Sequence, residues 1–310
     1  MYILSDNSQL PCIPDELNCI YFHKIKHTTN LAELFTYKEN GNIGKYELEL
    51  INFLYTVKFA SDSQICMYMD MFDEFKGQKH MTTVHRLINK WILNRLYITD
   101  EDDCNNNEWP DDAFFVYCLC DGGARLLEKT RECTYLEWSN LDVRCASGSV
   151  ARQLVATQLY LDLLKENKEF INYFCFGKKY SVGEDFFSLD FEFCLTVNEQ
   201  KMFFTGLVFR KEDNLLYLRD KILQIDALFT TKAYKKYFSS SDVEPILFIC
   251  ADDDEHLKEI MEELKITAFD RYRFILKDRL FSSSKPLKDS FMKYDLESDT
   301  FKNIRLSFLK

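Results

Sequence analysis

Apolar and polar positions follow two different periods along this chain, and the change of period divides it. In the first half, apolar residues recur at helical spacing, three or four apart. Tyr46–Phe59 places Leu48, Ile51, Leu54 and Tyr55 on one stripe. Ser61-Asp-Ser63 is suited to cap a short helix from Gln64 to Phe72, and Phe75-Lys-Gly-Gln-Lys-His80 reads as a turn. Met81–Tyr97 then reads as one amphipathic helix, with Thr82 or Thr83 as its cap. Leu96–Thr99 and Ala113–Cys120 read as paired strands, Asp121–Lys129 as a short helix, and Ser147–Lys165 as a long one.

From about residue 170 the period falls to two. Ile171–Phe176, Ser188–Val197 and Lys201–Arg210 read as three strands; the second alternates Leu189, Phe191, Phe193, Leu195 and Val197 with mostly polar partners. A helix from Asn214 to Tyr237, a strand Pro245–Cys250, a helix Asp254–Lys265 and a last strand Arg271–Leu276 complete an αβββαβαβ order. The expected class is α+β or α/β. The expected division is an N-terminal arm (1–44), a winged helix-turn-helix domain (45–129), a connector (130–147) and an α/β domain (148–310).

The helix at 82–96 carries the clearest functional signal. Val84, Leu87, Ile88, Trp91 and Leu96 are expected to face a core. Thr82, His85, Arg86, Asn89 and Lys90 fall on the other side, with no acidic residue among them. Arg, Asn and Lys reach base edges and phosphates in a major groove. Two helices before this one and a strand after it suggest the winged helix-turn-helix, with Arg86, Asn89 and Lys90 reading duplex DNA while Thr82 and His85 position it. The same residues also suit the wet side of a core helix.

Charge complicates that picture. Thirty-nine basic against fifty acidic residues give a net charge of −11, which excludes a general nucleic-acid coat and allows only a local patch. The would-be wing, Asp100–Asp112, contains seven acidic residues and no basic one: Asp100, Glu101, Asp102, Asp103, Glu108, Asp111 and Asp112. Phosphate would repel it. It reads either as a solvated hairpin tip or as a docking surface for a protein partner with a basic surface.

Other chemistry is sparse. Eleven cysteines lack any Cys-x2-Cys pair, and most lie in apolar runs, as buried free thiols of a reducing cytosol do. The five histidines are scattered, and no nucleotide or hydrolase motif occurs. No cofactor is expected. The longest apolar run, Ala113–Cys120, is too short for a bilayer, and Met1-Tyr-Ile-Leu-Ser-Asp lacks signal-peptide character. A soluble cytoplasmic protein without a membrane partner is expected. Arg271–Lys310 carries ten basic and five acidic residues, and reads as a solvated tail in which Lys302, Arg305 and Lys310 are phosphate-contact candidates.

His85-Arg86-Leu87 ahead of Leu93-x-x-Leu-Tyr97, the run Cys118-Leu-Cys-Asp-Gly-Gly-Ala-Arg-Leu-Leu127, the helix around Gln153–Leu164 and the αβββαβ tail together resemble the replication-relaxation family of plasmid and mobile-element proteins. The resemblance covers most of residues 45–275 and rests on pattern and order. It implies a DNA-binding accessory role and a restriction-endonuclease-like second domain. Such nucleases hold Mg²⁺ with two carboxylates, and a lysine steadies the attacking water. Asp190 is the weak candidate for the first acid, with Asp185 as a fallback. Where the second belongs stand Thr205, Gly206, Leu207 and Val208, with Arg210-Lys211 beyond them. No nuclease activity is expected, and Asp190 and Glu192 read as the solvent side of an edge strand.

Overall fold

The computed structural model of the protein describes residues 19–22, 31–99, 114–130, 147–211, 213–238, 244–264, 271–281 and 286–309. It is a mixed α and β chain in two units, which meet in sequence between Thr157 and Gln158. That boundary falls inside a long helix, later than the start at 148 that the sequence suggests. Among the described residues, no helix is long and apolar enough to cross a membrane.

The first unit contains β1 (Cys19–Phe22), α1 (Leu31–Tyr37), α2 (Lys45–Val57), β2 (Ala60–Ser61), α3 (Asp62–Met69), α4 (His80–Asn89), β3 (Leu93–Thr99), β4 (Phe114–Leu119) and α5 (Asp121–Thr130). Its strands run β1-β3-β4-β2, each pair antiparallel. Gly41, with φ of 77°, breaks the chain between α1 and α2. Ser61 caps α3: its hydroxyl accepts from the Gln64 amide at 3.3 Å, and the Gln64 side chain accepts from the Ser61 amide at 3.1 Å. The buried stripe of α2 is Leu50, Ile51, Phe53, Leu54 and Val57, rotated from the stripe that begins at Leu48. Ile65, Val84, Leu87, Leu96 and Val116 are buried with it.

Helix α4 corrects the expected 82–96 span at both ends. It starts at His80, after Lys79, so Thr82 and Thr83 lie within the first turns and cap nothing. It stops at Asn89, because Trp91 turns left-handed at φ 57° and the amide of Ile92 closes back on the Leu87 carbonyl at 3.0 Å. Leu96 is indeed buried, but on β3, where it pairs with Val116.

Helix α6 (Ser147–Asn167) spans the boundary. The second unit continues with β5 (Ile171–Phe176), β6 (Lys179–Val182), β7 (Asp185–Ser188), β8 (Phe191–Val197), β9 (Gln200–Val208), α7 (Leu215–Thr230), β10 (Ile246–Ala251), α8 (Asp254–Leu264), β11 (Tyr272–Leu276), α9 (Lys277–Leu280), β12 (Phe291–Asp295) and β13 (Thr300–Ile304). Seven strands form one mixed sheet, β13-β12-β11-β10-β9-β8-β5, in which β9, β10 and β11 are parallel. One face carries Leu207, Leu218, Ile225, Leu247, Ile249, Leu257, Ile260 and Phe274 in a single apolar core. The other carries stacked aromatics, among them Phe193 on Phe204 at 4.6 Å and Phe204 on Phe248 at 5.6 Å.

Three expectations for this unit are corrected. The strand expected over Ser188–Val197 is two elements, with β6 and β7 forming a separate hairpin. Strand β8 is not an edge; it lies between β5 and β9, and Glu192 on it is fully buried. Tyr272–Leu276 is not the last strand: β12 and β13 form a hairpin that extends the sheet, so this segment is not a solvated tail.

On α6, burial pushes the Asp162 carboxyl up to about 7, and the Gln158 amide donates to it at 3.1 Å. A folded-state value above the unfolded one means that the folded chain binds more protons between about pH 4 and that value, so stability falls as pH rises through this window. Asp162→Asn removes the slope. Urea midpoints across pH should show the variant more stable than wild type at pH 8 by roughly 2 kcal/mol, about half the full shift because the group stays partly wet, with no gain at pH 4.

Candidate functional site

The side chains that the sequence assigns to a reading face lie mainly outside the core. Thr82, His85, Asn89 and Lys90 are exposed, while Val84 and Leu87 are buried beneath them. Packing fixes the helix from its first residue. The buried His80 ring approaches the Tyr46 hydroxyl through Nδ1 at 2.5 Å and Asp70 Oδ1 through Nε2 at 2.9 Å. Burial pushes the Tyr46 phenol up to about 12.

Arg86 is held differently from its neighbours. One guanidinium nitrogen donates to the Asn42 carbonyl at 2.8 Å and to the Tyr37 hydroxyl at 3.3 Å, and the other pairs with Glu47. The Glu47 carboxylate and the Tyr37 hydroxyl hold this guanidinium charged, against the opposing effect of burial. Arg86 therefore joins α4 to α2 and to the turn before it. Lys90 stands over the Tyr37 ring at 5.1 Å. Trp91, expected in the core, is 38% exposed. The acidic docking candidates Glu101, Asp102, Asp103, Glu108, Asp111 and Asp112 lie outside the described residues.

In the second unit, Asp190 stands just before β8. Its amide donates to the Gly206 carbonyl at 3.0 Å, and its carboxylate accepts from the Val208 amide at 2.7 Å. The positions that would supply a second acid are closed by packing. A Cβ on Gly206 would meet the Phe191 ring at 2.2 Å, so glycine is required beneath that ring. Thr205 donates to the Phe191 carbonyl at 3.1 Å. Leu207 and Val208 are buried.

Beyond these positions the polar groups are chiefly cations around one carboxylate. Arg210 Nε lies 2.9 Å from Asp252, and Lys277 Nζ lies 3.6 Å from it, all three being nearly dry. The Lys211 amide donates to Asp252 at 2.9 Å, and the Asp252 amide donates to His256 Nδ1 at 3.3 Å. Burial depresses the His256 imidazole below its usual value, with Asp252 opposing. No group of three or more His, Cys, Asp or Glu side chains among the described residues is placed to hold a metal ion. Asp190 is tied to the Val208 amide, the positions for a second acid are closed, and the nearby Asp252 is surrounded by Arg210 and Lys277, so the residues present do not fit a two-carboxylate Mg²⁺ centre.

Glu192 is the buried charge that the pattern reading missed. It accepts from the Tyr173 hydroxyl at 2.5 Å and from the Tyr180 hydroxyl, and pairs with Lys178 at 2.5 Å. Lys178 also stands 5.9, 5.9 and 5.4 Å from the Tyr173, Tyr180 and Phe238 rings. Burial and the adjacent carboxylate push both tyrosines upward. A signal existed: Glu192 lies inside the otherwise apolar run Phe191–Leu195. Of the C-terminal cations, Lys302 pairs with Asp295, Arg305 lies 3.6 Å from Asp289, and Lys310 lies outside the described residues.

No family model matches this chain, and no curated protein matches it in sequence. A solved structure, the crystal structure of protein VC1899 from Vibrio cholerae, is similar with a TM-score of 0.26 and 11% identity. The match covers 82% of this chain and 55% of that one. A likeness at that level bears on neither fold nor function.

Two substitutions test the packing that closes this region. Gly206→Ala should cost about 1–3 kcal/mol, because Phe191 must leave its place between aromatic neighbours. Asp252→Ala should cost roughly 3 kcal/mol by stranding Arg210 and Lys277 in a dry environment. Both losses are read from denaturant midpoints. An unchanged midpoint for either variant would contradict the packing described.

Proposed function

We propose that this protein is a duplex-DNA-binding accessory or regulatory factor of a plasmid or other mobile element, as its resemblance to replication-relaxation proteins implies. It reads DNA through α4, and its second unit is a restriction-endonuclease-like domain retained for interaction and not for cleavage. The observation that carries the reading is the exposed face of Thr82, His85, Asn89 and Lys90, with no acid among the residues of a helix pinned at both ends. The element order α2-β2-α3-α4-β3-β4, with strands ordered β3-β4-β2, supports a winged helix-turn-helix, in which the last helix before the strands enters the major groove. The order α6, then antiparallel β5, β8 and β9, then α7 and parallel β10, supports the nuclease-like assignment.

Within this reading Asn89 and Lys90 contact bases and phosphates, His85 and Thr82 set the approach, and Arg86 positions the helix from behind. Arg86→Ala then acts first on stability, which makes Lys90 the cleaner test.

Fluorescence anisotropy on random duplex DNA across a salt series should show salt-sensitive binding. Lys90→Ala should weaken it about tenfold at low salt and lower the slope of log affinity against log salt by about one. If Lys90→Ala superimposes on wild type, α4 is not the contact. If wild type fails to bind at low salt, duplex affinity is absent, and the acidic segment 100–112 facing a basic protein becomes the better reading.

A further inference from the structure

We propose that the second unit carries a self-association surface: the outer face of α7 pairs with the same face of a second copy of this chain, the two helices running parallel. The inference does not rest on the DNA-binding reading of α4.

Helix α7 has two apolar faces, and the fold uses one. Its inner stripe, Leu218, Ile222, Ile225, Leu228 and Phe229, lies in the core of the unit and is at most 3% exposed. On the opposite side stand Leu216, 64% exposed, and Leu223, 57% exposed, seven residues apart. The half-buried Ala227 and the exposed Thr230 continue their line. Single exposed leucines are ordinary on a protein surface. Two in one line, at the seven-residue spacing of a coiled-coil seam and on a helix already fixed from within, are suited to a helix partner.

The charges beside this line identify that partner. Arg219 and Asp220 are both exposed, and neither has an ion pair among the described residues. Consecutive helix residues point about 100° apart, so these two flank the leucine line on opposite sides. A two-fold axis parallel to the helix sets Leu216 beside Leu216 and Leu223 beside Leu223. The same axis brings the flank of one copy that carries Arg219 against the flank of the other that carries Asp220. The ion pair forms twice, once on each side of the seam. An antiparallel pairing would set Arg219 against Arg219 and Asp220 against Asp220. A partner of uniform charge would leave one of the two unmatched. The face is therefore complementary to itself in one orientation, as a symmetric dimer requires. The seam is one helix wide, so the association is weak and depends on concentration.

Sedimentation velocity on the full chain, from micromolar to the highest soluble concentration, should show a monomer–dimer equilibrium. Leu216→Glu with Leu223→Glu should raise the dissociation constant about a hundredfold, by removing apolar burial and placing four carboxylates in the seam. Its circular dichroism and its urea midpoint at low concentration should keep the wild-type values, because both positions face water in the monomer. The charge pair tests the orientation. Arg219→Asp or Asp220→Arg alone sets like charges across the seam and should raise the dissociation constant about tenfold. The double exchange restores the complementarity and should recover wild-type association. Wild type that stays monomeric at every concentration would overturn the proposal. So would a dimer that the leucine variant leaves intact, since its interface lies elsewhere. Loss of structure in the leucine variant would make Leu216 and Leu223 packing residues of the chain itself, with the same result. A double exchange that fails to recover association would overturn the parallel pairing.

Discussion

Asp252 sets the register of the second unit. It follows β10 directly and draws Arg210, from beyond β9, to 2.9 Å and Lys277, from beyond β11, to 3.6 Å, with all three side chains nearly out of water. Removing charges from water costs several kcal/mol per ion, and their attraction offsets this only when the geometry is kept. The ends of three parallel strands must therefore stay level. A slip of one residue would turn each charge toward the apolar face that carries Leu247, Ile249 and Phe274. The cluster adds little net stability, because charges so buried roughly break even. What it contributes is a single permitted alignment, and the turn into α7 follows from it, since the Lys211 amide donates to the same carboxylate.

The same arrangement governs what chemistry this end of the sheet supports. Holding a divalent cation needs clustered oxygen ligands with negative charge to match it. Two cations already converge on Asp252, and like charges at such short range repel strongly in a dry environment. On the adjoining strand, the ring of Phe191 lies over Gly206 and leaves no room for a side chain. This end of the sheet is thus filled with internal ion pairs and aromatic packing.

Much of this was legible in the sequence, and the failures have physical causes. Helices α2, α7 and α8 announce themselves through their apolar period, although α7 ends at Thr230 and not at Tyr237; Asn214 caps it by accepting from the Leu216 amide at 2.9 Å. The end of α4 did not, because Trp91 continues the helical apolar spacing while its backbone leaves the helix. Periodicity registers side chains and is blind to a left-handed turn that carries no glycine. Strands β12 and β13 were missed because Lys293, Asp295 and Lys302 look like a solvated tail, whereas Lys302 and Asp295 pair across a hairpin. Glu192 was misplaced because alternation shows which residues share a face and not whether that face is wet. Its partners Tyr173, Lys178 and Tyr180 come from elements whose folding back onto β8 no local pattern encodes.

In the first unit, the reading of α4 turns on how its cations divide between structure and surface. Arg86, the most suitable base reader by residue type, closes a junction among Tyr37, Asn42 and Glu47. Moving it to a phosphate would leave Glu47, itself mostly buried, without its charged partner. That loss opposes any gain from the new contact. Lys90 and the neutral Asn89 and Thr82 remain on the exposed face, a modest charge for a protein of −11. So few exposed cations would leave any sequence-independent DNA affinity weak, because it scales with the number of counterions released. Within the proposed DNA-binding reading, affinity must then come from base edges and shape, the balance of a selective reader and not of a protein that coats DNA.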